Sequence, residues 1–312
     1  MKILVVGAGA VGGYAAARLL EAGLDVTLLV REGRKRQIAA NGLVVLSPSG
    51  DYVGHPPLLV AGETGGPFDL AVIASKAYGL PLLLDQLKPY LHSRTAILPL
   101  LNGMKHMEQI AEALPGQPLL GGVARIEATL EEDGSIRHLT AMHRYTYGRY
   151  RANLTDTEYE IVHQTLSGVS LFSERADIEQ DLWEKYAFIS VMSGLTTLFQ
   201  ATVGEIRDSE PGLETFRRAF EETERVVRAA GGRLSEGYTN KQMAIVEGMS
   251  SASTTSMLRD MTQGLPTESE HIHGYLIELA RRHGCPVSLF EVIRQRLAIY
   301  ETRRSALADR PV

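Results

Sequence analysis

Residues 2–19 read KILVVGAGAVGGYAAARL, and the reading of this stretch decides the fold. Ile3 to Val6 is a continuous apolar run, the pattern of a strand covered on both faces. Gly7, Gly9 and Gly12 then fall in G-x-G-x-x-G spacing. Val11 to Ala22 carries a helical pattern that Gly23 ends, and Asp25 to Val30 is a second strand. Strand, glycine turn, helix and strand in this order form the unit that binds a dinucleotide. In such a unit Gly7 permits the tight turn, Gly9 lets the backbone approach a pyrophosphate, and Gly12 lets the helix pack on the strand. Ala8, Ala10 and Val11 complete the cradle, and the helix start supplies free N–H groups for the phosphates. A tight βα turn without a ligand shows the same spacing; the flanking strands and helix favour the cofactor.

The pattern continues outward. Phe68 to Ser75 and Thr95 to Leu100 read as further strands, with a helix over Gly79 to Tyr90 that has Pro81 in its first turn. This alternation predicts a parallel sheet with helices on both faces. The runs GGVARIEATL, GSIRHLTAM and RYTYGRY, with Asp133-Gly134 among them, predict a strand meander at the sheet's edge over 119–150. Val169 to Phe172 reads as the last strand. After about residue 176 strand signals stop. Leu213, Phe216, Phe220, Thr223, Val227 and Ala230 form a helical stripe closed by Gly231-Gly232. Thr267 and Glu270 have capping-box spacing ahead of HIHGYLIELARRHG, and Pro286 opens a last helix through Tyr300. The expected architecture is an α/β chain. A Rossmann-type doubly wound domain covers residues 1–176, and an all-helical domain covers 177–312.

A length of 312 residues is enough for two such cores. The formal charge of −5 argues against nucleic acid as the partner. Cys285 is the single cysteine, so there is no internal disulfide framework, as expected in the reducing cytoplasm. No apolar run is long enough to span a membrane, and the N-terminal run breaks at Gly7, too early for a signal peptide.

The end of the second strand bears on the cofactor. An NAD site places a carboxylate there for the ribose hydroxyls. Here Arg31 stands there, followed by Arg34, Lys35 and Arg36, and a guanidinium suits the 2′-phosphate of NADP. Glu32 is the counter-indication, and a solvated basic loop is the alternative.

Residues 181–199 read DLWEKYAFISVMSGLTTLF, apolar almost all round after Glu184 and Lys185. Lys185 shares one stripe with Ile189, Met192, Thr196 and Phe199. A lysine that begins a buried stripe is costly unless a partner or a task compensates, although its stem also lets an ammonium reach back to the surface. A lysine tuned toward neutrality by burial can act as a proton donor. His271, His273 and His283 lack a carboxylate or cysteine at ligand spacing, so no metal is expected.

The whole chain resembles the ketopantoate reductase (2-dehydropantoate 2-reductase) family. ASKAY, LLNGM, LWEKYAF, TTSMLRDM and PTESEHIHGYL carry the resemblance, in order, from GAGAVG to ARRHGCPV. It implies NADPH-dependent reduction of 2-dehydropantoate to pantoate for pantothenate biosynthesis. It makes Lys185 the catalytic proton donor and Glu268 a catalytic carboxylate that pairs with the lysine or with the substrate's hydroxyl side. Lys76 and Asn102 would contact the cofactor. Asn102, Lys185 and Ser256 would contact the substrate, Ser256 through its carboxylate. It also implies a possible homodimer. Bland readings exist for each: a solvated loop lysine at 76, a turn asparagine at 102, a capping serine at 256 and a first-turn acid at 268. The sequence departs from the family's asparagines at Ile189, Ser193, Val203, Ser253 and His273. Ile189 and Val203 make the pocket more apolar and favour a rival, another 2-oxo or β-hydroxy acid with a longer or less hydroxylated chain. A third reading is a non-catalytic NADP-binding protein.

Overall fold

The computed structural model describes residues 1–151 and 154–308. The chain divides into two compact units: Met1–Leu101 with His106–Ile178, and Asn102–Lys105 with the chain from Glu179 onward.

The first unit is built on one ten-stranded sheet. Its strands are β1 (Lys2–Val6), β2 (Asp25–Leu29), β3 (Leu43–Leu46), β4 (Tyr52–Gly54), β5 (Leu58–Leu59), β6 (Phe68–Ile73), β7 (Leu91–Pro99), β8 (Leu119–Leu130), β9 (Ile136–Arg151) and β10 (Phe172–Glu174). The spatial order is β4-β3-β9-β8-β7-β6-β1-β2-β5, with β10 pairing β9. From β5 to β7 every pairing is parallel. The order reverses between β1 and β6, the switch point beyond whose carboxyl ends ligands bind in such sheets. Ile3, Leu4 and Val5 of β1 are wholly buried, as a doubly covered strand requires. Among the described residues five α-helices accompany the sheet: α1 (Ala10–Glu21), α2 (Glu32–Asn41), α3 (Leu80–Leu87), α4 (Lys105–Ala113) and α5 (Asp156–Ser167).

The strand meander expected at the edge is instead one long antiparallel hairpin inside the sheet. β8 and β9 pair from Leu119↔Arg151 to Leu130↔Ile136. A register shift between Ile126 and Ala128, opposite His143 and His138, separates the runs GSIRHLTAM and RYTYGRY within the one strand β9. The bulged residues Leu139 and Met142 are exposed there. β3 adds parallel to the start of β9 and β4 closes that edge, so β9 is internal. The last strand lies later than expected: Phe172–Glu174 pairs Tyr145–Tyr147, while Val169 and Leu171 are buried without pairing as strand.

The second unit is helical: α6 (Ile178–Phe199), α7 (Val203–Arg207), α8 (Gly212–Ala229), α9 (Tyr238–Gly248), α10 (Ser256–Thr262), a π-helical turn over Glu270–Gly274, α11 (Tyr275–Arg282) and α12 (Ser288–Ala308). The apolar stripe of α8 is buried at Phe216, Phe220, Thr223 and Val227. α6 starts at Ile178, so Lys185, which begins the apolar stripe, sits two turns inside the helix. The capping box expected at Thr267 does not form. Thr267 donates its backbone N–H and its hydroxyl to Glu301 Oε1 on α12, at 2.8 and 2.6 Å. Glu270 pairs instead with Arg294 at 3.1 Å. The segment that follows is π-helical, a geometry that proteins concentrate at functional sites.

Candidate active site

In the first unit the glycine turn follows β1. Gly7 has φ +95°, which a side chain rarely tolerates, and its N–H donates to Leu29 O on β2 at 2.9 Å. A Cβ at Gly12 would lie 2.0 Å from Gly7 O and 2.9 Å from Ala74 Cβ, so packing alone demands glycine there. Gly9 differs. A Cβ at Gly9 would have no atom within 4 Å, and its φ of −81° is ordinary. Protein packing gives no reason for the missing side chain, whereas a phosphate drawn against the start of α1 does. A dinucleotide therefore fits this cradle. Lys76 follows β6 across the switch point, at the start of a 3₁₀ turn over Ala77–Gly79. Arg31 is exposed and occupies the N-cap position of α2, with Nη2 3.5 Å from the Cβ position of Gly79. The structure thus brings Arg31 beside the turn that Lys76 opens.

The basic run after Arg31 is not the solvated loop of the alternative reading. It is helix α2, and its cations part company. Lys35 pairs with Glu63 at 2.5 Å, and Arg34 turns back onto the glycine turn, donating to Ala8 O at 2.9 Å. Glu32 is exposed in the first turn of α2.

In the second unit Lys185 is half-buried on α6. Its neighbour Tyr186 donates to Ile272 O of the π-helical turn at 2.8 Å, and His273 Nε2 donates to Ser190 O of α6 at 3.0 Å. These two bonds join the helix that carries Lys185 to the turn that Glu268 precedes. Glu268 is buried, and its carbonyl accepts from the N–H groups of His271 and Ile272. Gly103, with φ +94°, passes so close to His271 that a Cβ would lie 2.8 Å from its ring. Asn102 is therefore delivered next to the same turn. Ser256 is exposed as the first residue of α10. It does not cap that helix; Thr255 does, accepting from Leu258 N. Thr255 Oγ1 also lies 2.8 Å from Oγ1 of Thr196, on the Lys185 stripe. Lys185, Glu268, Asn102 and Ser256 thus stand on segments tied to α6 or to the π-helical turn. Sequence reading missed the ties, Tyr186, Thr255 and Thr196, because hydroxyls carry no spacing signal.

The departures from the family's asparagines fall in contacting pairs. Ser193 Oγ donates to Ile189 O at 2.5 Å and lies 3.3 Å from His273 Nε2. Val203 is fully buried and its N–H donates to Ser253 O at 2.9 Å. Ile189 is half-buried. Among the described residues no group of three or more His, Cys, Asp or Glu side chains is placed to hold a metal.

Burial pushes the pKa of His271 and of His273 down to about 4. Lys105 adds to the effect at His271, and the bond to Ser190 opposes it at His273. The unfolded chain takes up these protons near 6.5 and the folded chain only near 4. The stability they hold is complete above about pH 6.5 and is lost as pH falls toward about pH 4, by up to about 1.4 kcal/mol per histidine per pH unit. Urea unfolding near pH 5 is expected at a lower midpoint than near pH 7.5, with a shallower pH slope in His273→Gln. An unchanged slope in that variant would contradict this assignment.

Known proteins place the chain. The family described as Ketopantoate reductase PanE/ApbA matches residues 3–152, and its C-terminal counterpart matches residues 177–301. The chain belongs to the ketopantoate reductase family. It is similar to the uncharacterized oxidoreductase YkpB of Bacillus subtilis (strain 168), at 39% identity over 305 residues, covering 97% of this chain and all of that one. The crystal structure of 2-dehydropantoate 2-reductase from Geobacter metallireducens GS-15 is 27% identical, with a TM-score of 0.86 over 96% of this chain and 99% of its own. A D-mandelate dehydrogenase with NADH and anilino(oxo)acetate shares the fold at 20% identity and a TM-score of 0.86, over 98% of this chain and all of its own. As a member of this family the protein is an NAD(P)-dependent oxidoreductase of 2-oxo acids. Among the described residues no helix is long and apolar enough to cross a membrane.

Proposed function

We propose that the protein reduces 2-dehydropantoate to pantoate with NADPH, in the cytoplasm and as a homodimer. The observation that carries this reading is the tie between α6 and the π-helical turn through Tyr186 and His273, which sets Lys185 and Glu268 on joined segments. NADPH, when bound, supplies the hydride to C2. The cradle of Gly7 to Gly12 would receive its pyrophosphate, and Arg31, whose guanidinium suits a phosphate, would hold the 2′-phosphate. Lys76 and Asn102 hold the cofactor's ribose, and Asn102 also touches the substrate. Ser256, exposed as the first residue of α10, holds the substrate carboxylate through its hydroxyl. Lys185 Nζ gives its proton to the carbonyl oxygen as charge develops there, and Glu268 orients the lysine or the substrate hydroxyl.

A second reading has its own observation. Ser193 Oγ is spent on Ile189 O and His273 Nε2 on Ser190 O, while His273 Nδ1 is buried without a partner among the described residues, Val203 is buried, and Ile189 adds hydrocarbon. This favours a 2-oxo acid without the hydroxyl of 2-dehydropantoate. One assay separates the two. With NADPH, kcat/KM is measured for 2-dehydropantoate and for the analogue that lacks the hydroxyl. Preference for 2-dehydropantoate supports the first reading, and preference for the analogue supports the second. Tight NADPH binding without turnover of either would leave a non-catalytic binding protein.

A further inference from the structure

Arg34 belongs to the basic run that points to a 2′-phosphate, yet its guanidinium is committed elsewhere. Nε donates to Ala8 O in the glycine turn at 2.9 Å. Nη1 donates to Gln37 Oε1 at 2.7 Å and to Gly134 O, at the tip of the β8–β9 hairpin, at 2.8 Å. Nη2 is buried and has no partner among the described residues. With two nitrogens bonded and the third shut off from solvent, no edge of the fork is open to a phosphate. The three acceptors come from α2 itself, the glycine turn and a hairpin about a hundred residues away in sequence. One side chain therefore sets the position of the turn against its surroundings.

The bond to Ala8 O has a consequence one atom further on. In a trans peptide the carbonyl of Ala8 and the N–H of Gly9 point in opposite directions. A carbonyl drawn toward Arg34 sends the Gly9 N–H away from it, at the residue whose own Cβ position is open space. We propose that Arg34 is a positioning residue for the dinucleotide: it holds the Ala8–Gly9 peptide plane so that the Gly9 N–H meets the pyrophosphate, and it serves NADPH and NADH alike. The proposal rests on the reading that the glycine turn binds the cofactor.

The test measures dissociation constants for NADPH and for NADH by nucleotide fluorescence, together with kcat and KM, in the wild type, Arg34→Met, Arg34→Lys and Arg31→Ala. Arg34→Met is expected to weaken both cofactors about tenfold with their ratio unchanged, as the loss of a charge-assisted bond to the turn implies. kcat and the substrate KM stay within about twofold, because the proton donor is untouched. Arg34→Lys keeps the charge without the fork and is expected to behave like methionine. Arg31→Ala is expected to weaken NADPH alone. Where methionine is not tolerated, Arg34→Gln gives the same comparison, and unfolding midpoints show whether the fold is kept. A loss confined to NADPH in Arg34→Met, unchanged constants for both cofactors, or full recovery by lysine each overturns the proposal. A wild type that binds neither dinucleotide overturns the underlying reading of the glycine turn along with it.

Discussion

Lys185→Met is expected to lower kcat for 2-oxo acid reduction by about a hundred- to ten-thousandfold, the range general acid catalysis contributes, while the NADPH dissociation constant stays within about twofold. The reason is where the charge appears. Hydride addition puts a full negative charge on the carbonyl oxygen, and water is a poor replacement for a held ammonium at that moment. The lysine is half-buried two turns into α6, a helix with buried residues on most sides. Its replacement by methionine keeps the apolar stem, so the fold is expected to survive. Lys185→Arg separates the two jobs a lysine can do. Arginine keeps the positive charge but does not give up a proton in this pH range. Proton donation predicts that arginine is nearly as impaired as methionine, whereas charge stabilisation alone predicts substantial recovery. Near-normal kcat in Lys185→Met would remove the lysine from the mechanism altogether. Both rates are read from NADPH oxidation under saturating cofactor, so that changes in cofactor affinity do not enter.

The parts of this molecule legible in its sequence are those where one residue type answers to one local constraint. The positive φ of Gly7 and the 2.0 Å approach at Gly12 admit only glycine, so the spacing identified the turn. A buried parallel strand must be apolar on both faces, so β1, β2, β6 and β7 were visible. The internal hairpin is not, because its position depends on β3, a four-residue strand that pairs the distant β9, and on β4, a three-residue strand that closes the edge on β3. The bulge at Leu139 to Met142 looked like a strand break because alternation alone cannot tell a bulge from a turn. At the site, a charge in apolar surroundings marked Lys185, and Arg31 stood out at a strand end. The ties that arrange them run through Tyr186, Thr196, Thr255 and a π-helical turn. Each uses a hydroxyl or a carbonyl whose partner is set only once the helices have packed. The division of the basic run follows the same logic. Arg31, Arg34 and Lys35 are equivalent on paper, and the backbone of α2 decides which faces Gly79, which faces Ala8 and which faces Glu63.

Gly9→Ala and Gly12→Ala are expected to fail in opposite ways, although both remove a glycine from the same motif. At Gly12 the new methyl would sit 2.0 Å from Gly7 O and 2.9 Å from Ala74 Cβ, distances no relaxed backbone permits. α1 must move off the turn, at a cost of about 1–3 kcal/mol or more, and the urea midpoint falls accordingly. Dinucleotide binding weakens with it, because the start of α1 no longer lies where the turn points it. At Gly9 the methyl meets nothing within 4 Å, and the backbone has negative φ. The stability cost is therefore about 1 kcal/mol at most, the difference between glycine and alanine at an N-cap. The methyl nevertheless occupies the space in which a pyrophosphate would approach the backbone. NADPH affinity is expected to fall about a hundredfold, close to 3 kcal/mol, in a protein that unfolds almost as the wild type does. Fluorescence titration with NADPH beside urea unfolding reads both quantities on the same samples. A Gly9→Ala protein that binds NADPH as tightly as the wild type would show that the open face of Gly9 is not where the phosphates lie. The cradle would then have to be sought at the other carboxyl ends that meet at the switch point, beyond β6 and Lys76.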